Sequence, residues 1–402
     1  MNIFNSLYCR IFQFVFKLAL PFLPYKDPKI LDNITDITIT LKACDKPLIV
    51  VDPVVYKLGL IDGLLDSLNN HKIEYKIFTD LTPNPTIDQA NNAYKIFVDE
   101  KCNKLIVVGG GSSLDLAKAV GAKYARPKKS LQKLKGILKV RKKIPTLYAV
   151  PTTAGTGSET TLACVIIGSN TKHKYAINDF PLIPKYAVLD SNMTKTLPKN
   201  VVATTGMDAL THAIEAFIGR GGNKKTRKDA LDAIKLIFEN LEDAYFFNGD
   251  ESRKNMLFAS FKAGRAFSKA YVGYVHALAH ALGGFYNTPH GLANAVILPI
   301  VLKEYKAKIY GKLKKIAIYI GIADENTDSK AAANLLINKI EELNNKFEIP
   351  NSITIDENDI EKMSEMANSE ANPLYPVPVL WDKKKLAKLY LKIGELNDRN
   401  NQ

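Results

Sequence analysis

Four of the chain's six histidines fall between Gly206 and Gly291, and the spacing there is where chemistry is most legible. Asp208 and His212 stand four residues apart in Gly206-Met207-Asp208-Ala209-Leu210-Thr211-His212-Ala213-Ile214-Glu215, and His276 and His280 repeat that interval. Both stretches are rich in Ala and Leu and read as helix, so each pair projects from one helix face, one turn apart. The second helix ends in Gly283-Gly284, a pair suited to a C-terminal cap, and His290 follows Pro289 in a loop. Imidazole with carboxylate is a ligand set for Fe²⁺ or Zn²⁺. Two plainer readings stand beside a metal site. Thr205 to Asp208 also spells a helix N-cap with an acidic residue behind it, and a histidine on an Ala-rich face is often a satisfied core residue.

A second set of residues suits an anion. Gly109-Gly110-Gly111-Ser112-Ser113-Leu114-Asp115 joins a strand to a helix start, where backbone N–H groups without side chains in the way make a nest for a pyrophosphate. It departs from the G-x-G-x-x-G fingerprint, since Leu114 occupies the last glycine position, and a tight strand–helix turn explains it equally well. Pro151-Thr152-Thr153-Ala154-Gly155-Thr156-Gly157-Ser158-Glu159 follows the next strand and is dense in hydroxyls and glycines. Two such loops at the carboxyl ends of neighbouring strands favour a dinucleotide. Asp52, at the end of the first strand, could accept a hydrogen bond from a ribose 2′-OH and would repel a 2′-phosphate, which favours NAD(H) over NADP(H); it could equally cap the next helix.

The elements that must position these residues divide the chain in two. At 402 residues it is too long for one ordinary core, and 46 % apolar content is ample for burial. Strands at 47–51, 73–78, 104–108, 146–150, 162–167 and 186–189 alternate with helices at 54–70, 86–101 (opened by a Thr86/Gln89 capping box) and 114–124. That alternation predicts a parallel sheet covered on both faces. From about Lys195 helical periodicity takes over, with helices predicted at 205–218, 226–247, 251–270, 274–283, 292–306, 328–346 and 383–396. The predicted organisation is an N-terminal extension at 1–30, an α/β dinucleotide-binding domain at 31–195 and an all-helical, metal-binding domain at 196–402.

The net charge of +14 invites a nucleic-acid reading. Lys and Arg are, however, scattered among 41 acidic residues, and the densest run, Lys128 to Lys143, spaces its apolar residues as an amphipathic surface helix would. Four dispersed cysteines without a C-x-x-C pair suit reduced thiols in a cytoplasm. No uninterrupted apolar span is long enough to cross a membrane, and Ile11 to Pro24, broken by Lys17 and Pro21, predicts a docked extra helix in place of a signal peptide. Neither nucleic acid nor membrane is expected as a partner.

Together these motifs, in type, order and spacing, resemble the iron-containing (group III) alcohol dehydrogenase family. The similarity runs from about Pro47 to His290 and includes Asp115, Lys118, and Thr288 to Gly291. The resemblance implies the dehydroquinate synthase-like fold, an N-terminal domain binding NAD(P), and an active site between the two domains. It assigns the metal to Asp208, His212, His276 and His290, with His280 beside them as a non-ligand near the nicotinamide. It places the pyrophosphate at the triple-glycine turn and sets Asn84, Ser112, Asp115, Thr152, Thr153, Thr156 and Lys174 against the cofactor. The implied reaction is hydride transfer between NAD(H) and a small primary alcohol or diol, the metal (Fe²⁺, with Zn²⁺ also accepted) polarising the oxygen and His280 relaying a proton or orienting the alcohol. The implied assembly is a homodimer or larger. A polyol dehydrogenase or maleylacetate reductase is the nearest alternative, and a basic nucleic-acid-binding protein a remote one. Lys269 and Leu374 stand where many relatives carry asparagine and arginine, which bears on substrate size and polarity.

Overall fold

The computed structural model describes residues 3–168 and 174–397, the side chains of residues 21, 174, 396 and 397 excepted. Two compact units emerge: Pro24–Leu197, and Met1–Leu23 together with Pro198–Gln402.

The first unit is built on six parallel strands, β1 (Lys29–Leu31), β2 (Pro47–Val51), β3 (Lys76–Phe78), β4 (Lys104–Gly109), β6 (Thr146–Pro151) and β9 (Tyr186–Val188), in the order β1-β9-β6-β4-β2-β3. Period-two alternation sorts their side chains onto two cores. Leu48, Val50, Leu105 and Val107 join α5 (Ile87–Asp99) and α6 (Gly111–Ala125) on one face. Ile49, Val51, Ile106 and Val108 join α2 (Asp36–Thr40), α3 (Pro53–Lys57) and α4 (Asp62–Asn70) on the other. The Thr86/Gln89 capping box opens α5 as its sequence predicts.

Three expectations need correction here. The helix predicted over 54–70 is two helices, because Gly59 turns the chain at φ 68°, where a side chain is strained. The strand at 163–167 (β7) leaves the main sheet and pairs antiparallel with β8 (Lys174–Asn178), which also carries the short β5 (Gly136–Ile137). That last strand lies inside Lys128 to Lys143, which is no amphipathic helix. Leu131 and Leu134 are buried from a single 3₁₀ turn, and positive φ at Gly136, Leu138 and Arg141 then breaks any helical continuation.

The second unit contains α1 (Ile3–Ala19), α7 (Lys199–Ile218), α8 (Lys224–Phe246), α9 (Asp250–Ala270), α10 (Tyr274–Tyr286), α11 (His290–Tyr305), α12 (Tyr310–Tyr319), α13 (Ser329–Lys346), α14 (Ile360–Ala371) and α15 (Lys383–Ile393). Among the described residues it is helical apart from one parallel strand pair, β10 (Ile353–Asp356) with β11 (Gly394–Asn397). Its crossings are close. A Cβ on Gly206 would overlap Leu241, and one on Gly291 would overlap the backbone of Thr204, so α8 and α11 both reach α7 through glycine. On α1, Arg10 donates to the carbonyls of Val377 and Pro378, and Gln13 to those of Pro373 and Tyr375, so the N-terminal helix is held to this unit by backbone oxygens.

Candidate metal centre and cofactor cradle

Asp208 and His212 lie one turn apart on α7, but the helix begins two turns earlier than its sequence suggests, with Pro198 in the cap position. Asp208 is therefore mid-helix and 2 % exposed, which removes the capping explanation for it. His276 is the third residue of α10. That helix runs through Gly283 and Gly284 and stops at Asn287, which takes the left-handed conformation at φ 53°; the glycine pair caps nothing. His290 is not in a loop. It is the first residue of α11, with Pro289 as its cap residue, because proline's fixed φ suits a helix entry as well as a turn.

Three helices thus bring one potential ligand atom each from Asp208, His212, His276 and His290 to within 4.8 Å of one another. His290 Nε2 lies 3.4 Å and His276 Nε2 3.8 Å from Asp208 Oδ1. Burial sets their charge states. It drives His276 well below the ordinary imidazole value and His212 down to about 4, so both rings are neutral, the form that ligates. His212 Nδ1 and His276 Nε2 are buried with no hydrogen-bond partner. Buried imidazole nitrogens normally find one, so orphans beside a buried carboxylate fit a divalent cation.

Two supporting residues were not singled out by sequence reasoning. Glu215, one turn beyond His212 on α7, accepts from Gly273 N (2.8 Å), Val275 N (2.8 Å) and His276 Nδ1 (2.6 Å). A single carboxylate therefore caps α10 and fixes the tautomer and aim of His276. Burial pushes it up to about 7 against those three donors. Asn294, four residues into α11, donates to Asp208 Oδ1 at 2.7 Å and lies 3.1 Å from His290 Nε2. The i,i+3 spacing from His212 and the i,i+4 spacing from His290 were the available signals.

His280 sits at the rim. Its Nδ1 lies 2.6 Å from Glu370 Oε1, which also accepts from Tyr375 Oη at 2.6 Å, and its ring stacks on His290 at 5.1 Å. Phe267 stacks on His212 at 4.0 Å, and Tyr271, held at φ 62°, packs edge-on against Phe16 of α1.

In the other unit the two loops read as anion cradles adjoin. Thr152 N donates to Gly109 O, and Cβ atoms built on Gly110 and Gly111 would meet Thr153 and Thr156. A Cβ on Gly109 would overlap Ser113 and lie 3.4 Å from Asp52 Cβ. Asn84, at φ 61°, donates its backbone N–H to Ser112 Oγ. Helix α6 starts at this point with Gly110 as cap residue and no side-chain cap, so its N-terminus lies among three glycines with no side chain of its own capping it, which fits an anion cradle. Asp115 lies in the second turn of α6, half-buried. Lys118, one turn further, is fully buried and its Nζ donates to Ser158, Thr161 and Ala163, tying the threonine loop to the helix. Asp52 Oδ1 accepts from Val54 N and Val55 N, so it caps α3. Lys174 opens β8, and its side chain lies outside the described residues.

Comparison with known proteins fits this geometry. Residues 28–191 match the family model for iron-containing alcohol dehydrogenase, and residues 202–394 that for the C-terminal part of the Fe-containing alcohol dehydrogenase family. The chain is 37 % identical to the 1,3-propanediol dehydrogenase of Citrobacter freundii over 83 % of its own length and 87 % of the relative's. It is 36 % identical to the NADPH-dependent butanol dehydrogenase of Clostridium saccharobutylicum over 74 % of this chain and 76 % of that one. A solved 1,3-propanediol oxidoreductase superposes with a TM-score of 0.86 at 33 % identity, covering 92 % of this chain and 99 % of the other. With the ligand geometry, the glycine cradle and both halves of the family pattern on one chain, this protein belongs to the iron-containing alcohol dehydrogenases.

Proposed function

We propose that the chain is a metal-dependent, NAD(H)-linked dehydrogenase interconverting a small primary alcohol or diol and its aldehyde. The observation that carries the reading is the convergence of three imidazoles and one carboxylate from α7, α10 and α11, with two buried ring nitrogens lacking any other partner. When bound, the ion supplies Lewis-acid polarisation of the substrate oxygen and the nicotinamide takes or gives the hydride. The chain's own residues do the rest. Asp208, His212, His276 and His290 hold the ion, and Glu215 and Asn294 keep His276 and Asp208 aimed. His280, with Nδ1 engaged by Glu370, moves or holds a proton through Nε2. Gly109, Gly110, Gly111 and Ser112 receive the pyrophosphate, with Asn84, Asp115, Thr152, Thr153, Thr156 and Lys174 beside it and Asp52 at the adenosine ribose.

Chelation removes turnover under this reading, and Fe²⁺ restores it better than Zn²⁺. His276→Ala loses both metal and activity, whereas His280→Ala retains the metal and loses rate. Metal content of the two purified variants separates the roles; full activity after exhaustive demetallation overturns the reading. The relatives' names include diol and butanol dehydrogenases, so a panel of mono-alcohols and diols assigns the substrate.

A further inference from the structure

Helix α1 has two faces of opposite character. Cys9 and Gln13 are buried against the helical unit, and Arg10 is committed to two of its carbonyls. The opposite face follows the i+3/i+4 series Phe4, Leu7, Ile11, Phe14, Leu18, continued by Phe22 just beyond the helix. Nine large apolar side chains between Ile3 and Phe22 stand exposed, from 54 % at Ile11 to 88 % at Phe22. At roughly 100 Å² each this patch approaches 1,000 Å², beyond the few hundred Å² that monomer surfaces usually leave open. No residue from Ile3 to Ala19 is acidic.

The border of this face is cationic. Lys312 donates to the carbonyls of Ile218 and Gly219 at the end of α7. Burial first, and then the charges of Arg227, Arg220, Lys17 and Lys315, hold its ammonium down at about 8. The charge of Arg220 also bears on Arg10, and the Arg220 backbone N–H donates to the carbonyl of Pro376. Beside the apolar helix there is thus a group of positive charges, of which Lys17, Arg220, Arg227 and Lys315 are exposed.

We propose that α1 docks this protein on an anionic lipid surface, lying in the plane of the interface with its outer apolar face inserted and the exposed Lys17, Arg220, Arg227 and Lys315 against lipid phosphates. An in-plane apolar stripe flanked by cations is the pattern of interfacial helices. Spanning is excluded for the described residues, since no helix is long and apolar enough to cross a membrane. A second copy pairing through α1 would cover the apolar face but bring the same cations and no acidic residue on that helix, whereas phosphates neutralise them.

The test uses the full chain in flotation with vesicles of phosphatidylcholine plus phosphatidylglycerol, against phosphatidylcholine alone. Binding is expected to the mixed vesicles, falling as salt rises. The outer-face variant Ile11→Glu/Leu18→Glu should lose binding by tenfold or more while keeping dehydrogenase activity. Lys17→Glu/Lys315→Glu should weaken it by roughly tenfold and flatten the salt dependence. Phe14→Trp leaves the face apolar and serves if the double Glu variant does not fold; its emission should shift to the blue only on the mixed vesicles. The proposal is overturned if the chain floats with neither vesicle. It also falls if Phe14→Trp is already blue-shifted without lipid in a dimer that Ile11→Glu/Leu18→Glu splits, for then a second copy covers the helix.

Discussion

Glu215 carries three donors on one buried carboxylate, two of them the N–H groups that open α10. Replacing it with Gln sets an amide NH₂ against at least one of those donors and loosens His276. Outer partners of metal-bound histidines are typically worth tenfold to a hundredfold in metal affinity. Glu215→Gln should lower affinity for Zn²⁺ or Fe²⁺ by about that factor with the fold intact, as a competition titration against a chromophoric chelator would show; unchanged affinity would remove Glu215 from the site. Asp52 poses a different question, because its Oδ1 already caps α3. Glycine costs only a few tenths of a kcal/mol at a cap, so Asp52→Gly leaves stability nearly unchanged. If Asp52 also faces the ribose, the ratio of activity with NAD⁺ to that with NADP⁺ should fall at least tenfold. An unchanged ratio would leave Asp52 as a cap alone.

Between elements, a carboxylate on α8 ties three helices. Asp232 accepts from Lys228 on its own helix, from Lys262 on α9 (3.1 Å) and from Tyr319 on α12 (2.6 Å). Burial alone would raise its pKa, but these three donors together hold it at about 2. An unfolded Asp titrates near 4, so the lowered folded value contributes stability that is complete above about pH 4 and lost as pH falls toward 2. Asp232→Asn should cost about 1–2 kcal/mol at pH 7 after solvent screening. The gap between variant and parent in urea unfolding should close by pH 2; a gap constant across that range would contradict the titration. Helix α1 makes a tie of another kind. Gln13 holds the carbonyls around Tyr375, whose hydroxyl reaches Glu370 and through it His280.

For the molecule as a whole, the candidate ligands come from three helices and lie up to 82 residues apart in sequence, from Asp208 to His290. A group that binds the folded arrangement and not the open chain stabilises by mass action, about 2.7 kcal/mol at a hundredfold excess over Kd. Adding Fe²⁺ or Zn²⁺ to chelated protein should therefore raise Tm by several degrees, and His276→Ala should abolish the rise. An equal rise in that variant would place the stabilising metal elsewhere.

The candidate site residues were legible in the chain because their spacing is a local property. Four residues make one turn wherever the helix lies, so Asp208/His212 and His276/His280 announced themselves, as did the glycine turn ahead of α6. The alternation of strands and helices up to about residue 190, and the helical texture beyond it, are local in the same sense. Where local signals admitted two outcomes, tertiary contacts chose. After Pro289 the sequence reads as a loop, but His290 opens α11, which closes on α7 through Gly291. The Lys128–Lys143 run had helical spacing, yet strand pairing with β8 and positive φ at three positions gave it an extended path. Glu215 and Asn294 are marked only by their one-turn spacing from His212 and His290, and the partners they engage lie up to 86 residues away. Local periodicity thus named the candidate ligands, while long-range packing alone decided which helices meet and which groups aim the side chains they carry.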